Sequence, residues 1–313
     1  SGTTGLKKGV ELTHRTVLAQ IDAYSSALSI TGADRIATWL PHYHDMGLVG
    51  IVLGCMATQR SVDYLPTREF AMRPRLWLKL ISRNRCTISY SPPFGYTLCA
   101  RRLRPADIEA LDLSSWRIAG VGAEMIHPES LRQVAEILAP AGFDERAFLP
   151  SYGMAECALG VSFAPVGSGP HSDLIDIDRL SRTGEARPPI EGEAAVKGKA
   201  FIDCGRPLPG FEVQVRGDRG NVLPERRCGA IYLRGPSVMS GYFGNPEATQ
   251  EVLSDDGWLN TGDLGYFADG SLYVTGRAKV VRPEFVEKVK QSEHWQQQKL
   301  VPNLLAKGAD IWS

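Results

Sequence analysis

Ser1-Gly2-Thr3-Thr4-Gly5-Leu6-Lys7-Lys8-Gly9-Val10 sets two adjacent hydroxyls among glycines and follows them with two lysines. Glycine reaches positive φ and leaves its N–H open to close approach. Successive N–H groups make an anion-binding concavity, hydroxyls add donors, and lysine adds a mobile positive charge. The stretch reads as a polyphosphate loop. It is not a Walker A loop, because the fifth residue after Gly2 is Lys7 and not Gly. A plain Gly/Thr surface loop is the alternative, and the residues downstream have to decide between them.

Those residues alternate in character. Strands are expected at 35–40, 62–65, 86–90, 116–121 and 146–149. Between them helices are expected from Thr13 to about residue 30, from the 41–47 turn to about residue 57, and at 75–83 and 129–138. Gly47, Gly50 and Gly54 break the apolar run from 46 to 57, which is too short to span a bilayer, and suit close packing of a buried helix. Short apolar strands alternating with helices predict an α/β fold with a parallel, helix-covered sheet. Ligands of such sheets sit beyond the carboxyl ends of the strands. The polar turns His42–Asp45, Gly122–Glu124 and Tyr152–Glu156 are therefore expected to face one crevice. From 165 the sequence turns to Pro, Gly, Ser and charge, which reads as a loop. From 201 it becomes β-like, with Ala268-Asp269-Gly270-Ser271 as a hairpin signal. The expected organisation is an α/β subdomain for nucleotide and acyl group at 1–164, an inserted or loop segment at 165–200, a small β-rich, barrel-like subdomain at 201–279 and a divergent tail at 280–313.

Composition excludes several classes. With 35 basic and 35 acidic residues the formal charge is zero, so no general attraction to nucleic acid is indicated. No transmembrane segment is expected. The six cysteines show no C-x-x-C pair and read as reduced, mostly buried thiols of a cytoplasmic protein.

Four motifs, widely spaced, resemble those of the adenylate-forming (AMP-binding, acyl-CoA synthetase-like) superfamily. The loop 1–9 resembles S-G-[ST]-T-G-x-P-K-G, with Lys7 where proline is usual. Ser151-Tyr152-Gly153-Met154-Ala155-Glu156 resembles Y-G-x-[TA]-E, Asn260-Thr261-Gly262-Asp263 resembles T-G-D, and Thr275-Gly276-Arg277 resembles the G-R motif. The turn His42-Tyr43-His44-Asp45-Met46-Gly47-Leu48 narrows the likeness to fatty-acyl-AMP ligases, whose L-P-x-Y-H-D-M-G-L it matches, as does the long interval before Cys204-Gly205-Arg206-Pro207. Such ligases carry an inserted segment about there, which hinders the domain rotation that CoA chemistry needs.

The resemblance implies ATP-dependent conversion of a fatty acid to acyl-adenylate with release of pyrophosphate, using ATP and Mg²⁺. Ser1, Gly2, Thr3, Thr4, Gly5 and Lys8 would hold the phosphates. Gly122, Ala123 and Glu124 would lie along the adenine, with Tyr152, Gly153, Met154 and Ala155 lining the nucleotide. Asp263 and Arg277 would fix the ribose, Glu156 and Thr4 the metal. His44, Glu156 and Arg277 are the expected catalytic residues. The partners implied are a fatty acid and an acyl carrier protein of a polyketide or peptide synthase, with CoA as the alternative acceptor. A catalytically silent nucleotide-binding fragment is the reading from a different class. The likeness runs from 1 to about 279, which leads to the expectation that an N-terminal part and a C-terminal domain bearing a catalytic lysine are missing.

Overall fold

A computed structural model describes residues 8–190 and 198–277. Residues up to 276 form one compact unit, and a second begins at Arg277. In chain order the strands are β1 (Val10–Glu11), β2 (Arg35–Thr38), β3 (Ser61–Tyr64), β4 (Ile88–Ser91), β5 (Ile118–Val121), β6 (Phe148–Gly153), β7 (Gly160–Phe163), β8 (Ser172–Asp176), β9 (Gly198–Ile202), β10 (Arg206–Pro207), β11 (Glu212–Arg216), β12 (Gly229–Arg234), β13 (Gly241–Tyr242), β14 (Leu259–Ala268) and β15 (Ser271–Arg277).

Seven of them form the main sheet in the order β10-β7-β6-β5-β4-β2-β3. From β3 to β6 the neighbours are parallel, as the alternation with helices predicts. Beyond β6 the pairing departs from the expected parallel sheet, since β7 runs antiparallel to β6 and β10 antiparallel to β7. The cause is local. Only residues 154–159 join β6 to β7, too few for a parallel crossover.

The central strands are buried on both faces, and neighbouring residues go to opposite cores. Ala37, Ala119 and Phe148 join one cluster with Trp77 and Leu131 from the covering helices and Trp116 from the segment before β5. Ile36, Ile118 and Leu149 join another with Ile21 and Tyr24 of helix His14–Ala27. That two-sided burial is why the strands read as short apolar runs without alternation. In the first cluster Trp77 meets Tyr96 and Trp116 edge-on, with ring centroids 5.2 and 5.3 Å away. Its indole N–H donates to Ser89 Oγ at 2.8 Å, and that hydroxyl donates to the Ala37 carbonyl at 2.6 Å.

The glycines of the 46–57 run pack as expected. A Cβ on Gly54 would stand 1.9 Å from the Tyr24 hydroxyl oxygen, and one on Gly47 would stand 2.1 Å from the Pro41 carbonyl oxygen. Between those two glycines the backbone takes a π-helical turn, Leu48–Leu53.

The segment expected as a loop at 165–200 carries regular structure. β8 pairs antiparallel with β9, with helix Ile177–Thr183 following β8. Ile175 and Phe201 of these strands share a small core with Tyr266 and Ala268 of β14. The pattern escapes a periodicity reading because only a few positions of the segment are apolar and buried. The β-rich part is a four-stranded sheet, β11-β12-β14-β15, and among the described residues β11 and β15 are its edges. Its hairpin turn is Asp269-Gly270, as the sequence signal predicts, with φ of 52° and 77°. No described helix is long and apolar enough to cross a membrane. All six cysteines are free, and five are buried.

Trp77 is fully buried, whereas Tyr43 is 91% exposed. Trp77→Ala is expected to cost about 3–5 kcal/mol, and Tyr43→Ala about 0.5 kcal/mol or less, as read from urea unfolding followed by far-ultraviolet circular dichroism.

Candidate functional site

Because β2, β5 and β6 are parallel, the turns that follow them lie at one edge of the sheet, the carboxyl edge. Ser1, Gly2, Thr3, Thr4 and Gly5 lie outside the described residues, as do 278–313. Lys8 is described. It is half-buried and leads into β1.

The Tyr152 motif begins inside β6 rather than after it. Gly153 is required there because a Cβ would meet the Leu159 carbonyl oxygen at 2.0 Å, where β6 and β7 come together. Met154 follows in extended conformation, and Ala155–Cys157 make one 3-10 turn that carries Glu156. Glu156 is 4% exposed. A buried carboxylate needs donors or a cation. Tyr242 supplies one, its hydroxyl donating to Glu156 Oε1 at 2.7 Å. The same Tyr242 ring lies under the Lys8 ammonium, with Nζ 4.6 Å from the ring centroid. The expected phosphate lysine and the expected metal carboxylate are thus brought together by a residue that the sequence reading passed over. Within a Gly/Pro-rich stretch, Gly241-Tyr242 reads only as a turn; the following Asn245-Pro246 helix start is the one local signal.

The T-G-D motif is expected as a turn, and the structure places it inside β14 as a bulge. Ala230 pairs with Leu264 and Tyr232 with Asn260, so Thr261, Gly262 and Asp263 stand opposite Ile231 alone. Gly262 takes φ 73°, which a side chain would resist. Thr261 closes the bulge, its hydroxyl donating to the Ile231 carbonyl at 2.8 Å and accepting from the Asp263 N–H at 3.0 Å. Asp263 is 6% exposed. Tyr152 donates its hydroxyl to Asp263 Oδ2 at 2.7 Å. Burial, and after it the Asp263 charge, push the Tyr152 phenol well above its ordinary range, so it stays a donor. Arg277 is the last residue of β15 and opens the second unit.

Gly122 packs behind β6: a Cβ there would stand 2.9 Å from the Ser151 carbonyl oxygen. Ala123 takes φ 69°, and with Glu124 it is exposed at the carboxyl edge. His44 caps the short helix Asp45–Gly47. Its Nδ1 lies 2.6 Å from Asp45 Oδ1 and 3.2 Å from the Met46 nitrogen. The shorter, charge-assisted contact governs, and the Met46 N–H has Asp45 Oδ1 at 2.7 Å. The hydrogen bond to Asp45, working against partial burial, raises the imidazole above its ordinary 6.5. His44 therefore interacts with its own turn.

Among the described residues no group of three or more His, Cys, Asp or Glu is placed to hold a metal. A single buried carboxylate such as Glu156 fits the needs of magnesium, which takes one or two carboxylates and completes its shell with water and substrate phosphates.

The model of the AMP-binding enzyme family matches residues 1–243. A Caulobacter vibrioides protein whose name provisionally makes it an acyl-CoA synthetase is 48% identical over 280 residues, which is 89% of this chain and 49% of its own length. A Moorena producens medium-chain-fatty-acid–acyl-carrier-protein ligase is 34% identical over 294 residues, 90% of this chain and 49% of its own. A solved structure from work on the fatty acyl-adenylate ligases of E. coli and L. pneumophila superposes with a TM-score of 0.84 at 47% identity, covering 91% of this chain and 53% of that one. The chain spans about half the length of the curated relatives it matches. Its fold is that of the large domain of adenylate-forming enzymes, and with the family model covering 243 residues the chain belongs to the AMP-binding family of adenylate-forming ligases.

Proposed function

We propose that the protein activates a fatty acid with ATP, giving acyl-adenylate and pyrophosphate. The observation behind this is the pairing of motifs across the carboxyl edge: Lys8 and Glu156 through Tyr242, and Tyr152 with Asp263. A fatty carboxylate oxygen forms a bond to the α-phosphorus, the bond from that phosphorus to the bridging oxygen breaks, and pyrophosphate leaves with the electron pair. Such a displacement needs alignment and charge compensation more than covalent help. Lys8 would offset the charge of the departing phosphates, and Thr3 and Thr4 would donate hydrogen bonds to them. Asp263 would accept from the ribose hydroxyls, its carboxylate held in place by Tyr152, and Arg277 would contact ribose or α-phosphate. Gly122–Glu124 would line the adenine. His44, protonated on Nδ1 toward Asp45, would stand near the acid's carboxyl group. Glu156, with Thr4, is where magnesium would be held; when bound, that ion shares the negative charge of the phosphates.

The relatives named as fatty acyl-adenylate and acyl-carrier-protein ligases support a fatty acid as substrate and a carrier-protein thiol as acceptor. The pairing of β8 with β9 and their packing on β14 support the same branch. The Caulobacter relative's name favours CoA as the second reading. Free thiols throughout suit a reducing, cytoplasmic setting.

ATP–pyrophosphate exchange dependent on medium- or long-chain fatty acid tests the reaction; exchange at background in a protein that binds ATP overturns it. Glu156→Gln, which keeps an acceptor for Tyr242, is expected to lower exchange by about a hundredfold or more. Asp263→Asn is expected to raise the KM for ATP by about tenfold with a smaller effect on kcat. His44 is expected to titrate above 6.5 in an NMR pH series and to fall back toward 6.5 in Asp45→Asn. The sign follows from the raised value: the pair adds stability at pH below 6.5, and this is lost as pH rises through the folded-state value.

A further inference from the structure

β1 and β13 have two residues each, yet their pairing sets one aromatic side chain between two charges. Val10 pairs with Tyr242 and Glu11 with Gly241. The ladder runs on at both ends, as the Phe243 N–H donates to the Gly9 carbonyl at 2.8 Å and the Ser240 N–H to the Glu11 carbonyl at 3.0 Å. At the next residue back, the Met239 N–H donates to the Glu156 carbonyl at 2.8 Å. One short segment is therefore hydrogen-bonded through its backbone to the Lys8 strand and to the Glu156 turn. The Tyr242 side chain repeats that bridge, with its ring under Lys8 Nζ and its hydroxyl on Glu156 Oε1. A third element fixes it, since the Tyr242 N–H donates to Thr249 Oγ1 at 2.9 Å on helix Pro246–Val252.

We infer that Tyr242 is a positioning residue that couples the two halves of the phosphate site: its ring sets the Lys8 ammonium and its hydroxyl sets the Glu156 carboxylate. The inference rests on the roles given above to Lys8 and Glu156. A lysine ammonium on a flexible four-carbon stem gains direction from an aromatic face. A carboxylate that receives a phenolic hydrogen bond has its plane fixed before any cation arrives. Two groups of opposite sign, one from the start of the sequence and one from its middle, are thereby both held by one rigid side chain.

The test is calorimetric titration of the protein with ATP, first with EDTA and then with Mg²⁺, for wild type, Tyr242→Phe and Tyr242→Leu. Tyr242→Phe keeps the ring and every backbone bond. It is expected to bind metal-free ATP within about twofold of wild type and to lose about tenfold of the tightening that Mg²⁺ brings. Tyr242→Leu removes the ring as well and is expected to weaken metal-free ATP by about fivefold. In a Glu156→Gln background, Tyr242→Phe is expected to add no further loss of the Mg²⁺ increment, because the carboxylate through which the hydroxyl acts is already gone. A loss confined to the Mg²⁺ increment in Tyr242→Phe cannot come from misfolding. If that variant keeps the full increment, or if both variants bind metal-free ATP alike, the inference is overturned while the functional reading stands. A wild-type protein that binds no ATP overturns the functional reading, and this inference with it.

Discussion

A carboxylate that is 4% exposed, as Glu156 is, has to be answered by a donor or a cation. Much of the local architecture follows from that demand. The 3-10 turn that presents Glu156 exists because β6 reverses into β7 within six residues, and the reversal is close enough to admit only glycine at 153. The donor comes from β13, a two-residue strand bonded on three sides, to β1, to the Glu156 turn and to Thr249. Sheet, turn and strap are one arrangement around one buried charge.

Asp263 meets the same demand by a different device. Its carboxylate comes from an interruption in a strand and not from a turn after one, and Tyr152, on the strand that precedes Glu156, supplies its hydroxyl donor. Two phenols thus each serve one acid. Tyr152 is pushed by burial to remain protonated, which keeps its hydroxyl as a donor across the ordinary pH range.

The strand–helix alternation was legible because β2, β4, β5 and β6 are covered on both faces, which demands apolar runs whose length and flanks are visible residue by residue. Helix 128–138 was legible from Pro128 and its apolar face, and the β14–β15 hairpin from Asp269-Gly270. The direction of β7 was not, because it depends on connection length, which propensity does not encode. The segment from β8 to β9 was missed because its strands are held by Ile175 and Phe201 packing on Tyr266, a contact invisible to any local window. At the site, the individual motifs around Lys8, Glu156 and Asp263 could be named from the sequence. Their junction could not: Tyr242 matters through what lies above its ring and beyond its hydroxyl, and both neighbours come from far along the chain.

The bulge in β14 has a bearing on how this chain can change. It seats three residues where a regular strand would seat one, an excess of two. An even excess reshapes the backbone without exchanging the faces of the strand beyond it. Losing or gaining a single residue there would leave a bulge of another kind, with a different local bend and twist just ahead of Tyr266 and Ala268, which pack with Ile175 and Phe201. Point changes along β14 are a matter of degree. A change of length at 261–263 redraws the bulge itself, so the spacing of this motif is tied to the pairing of β14 with β12 as well as to the placing of Asp263.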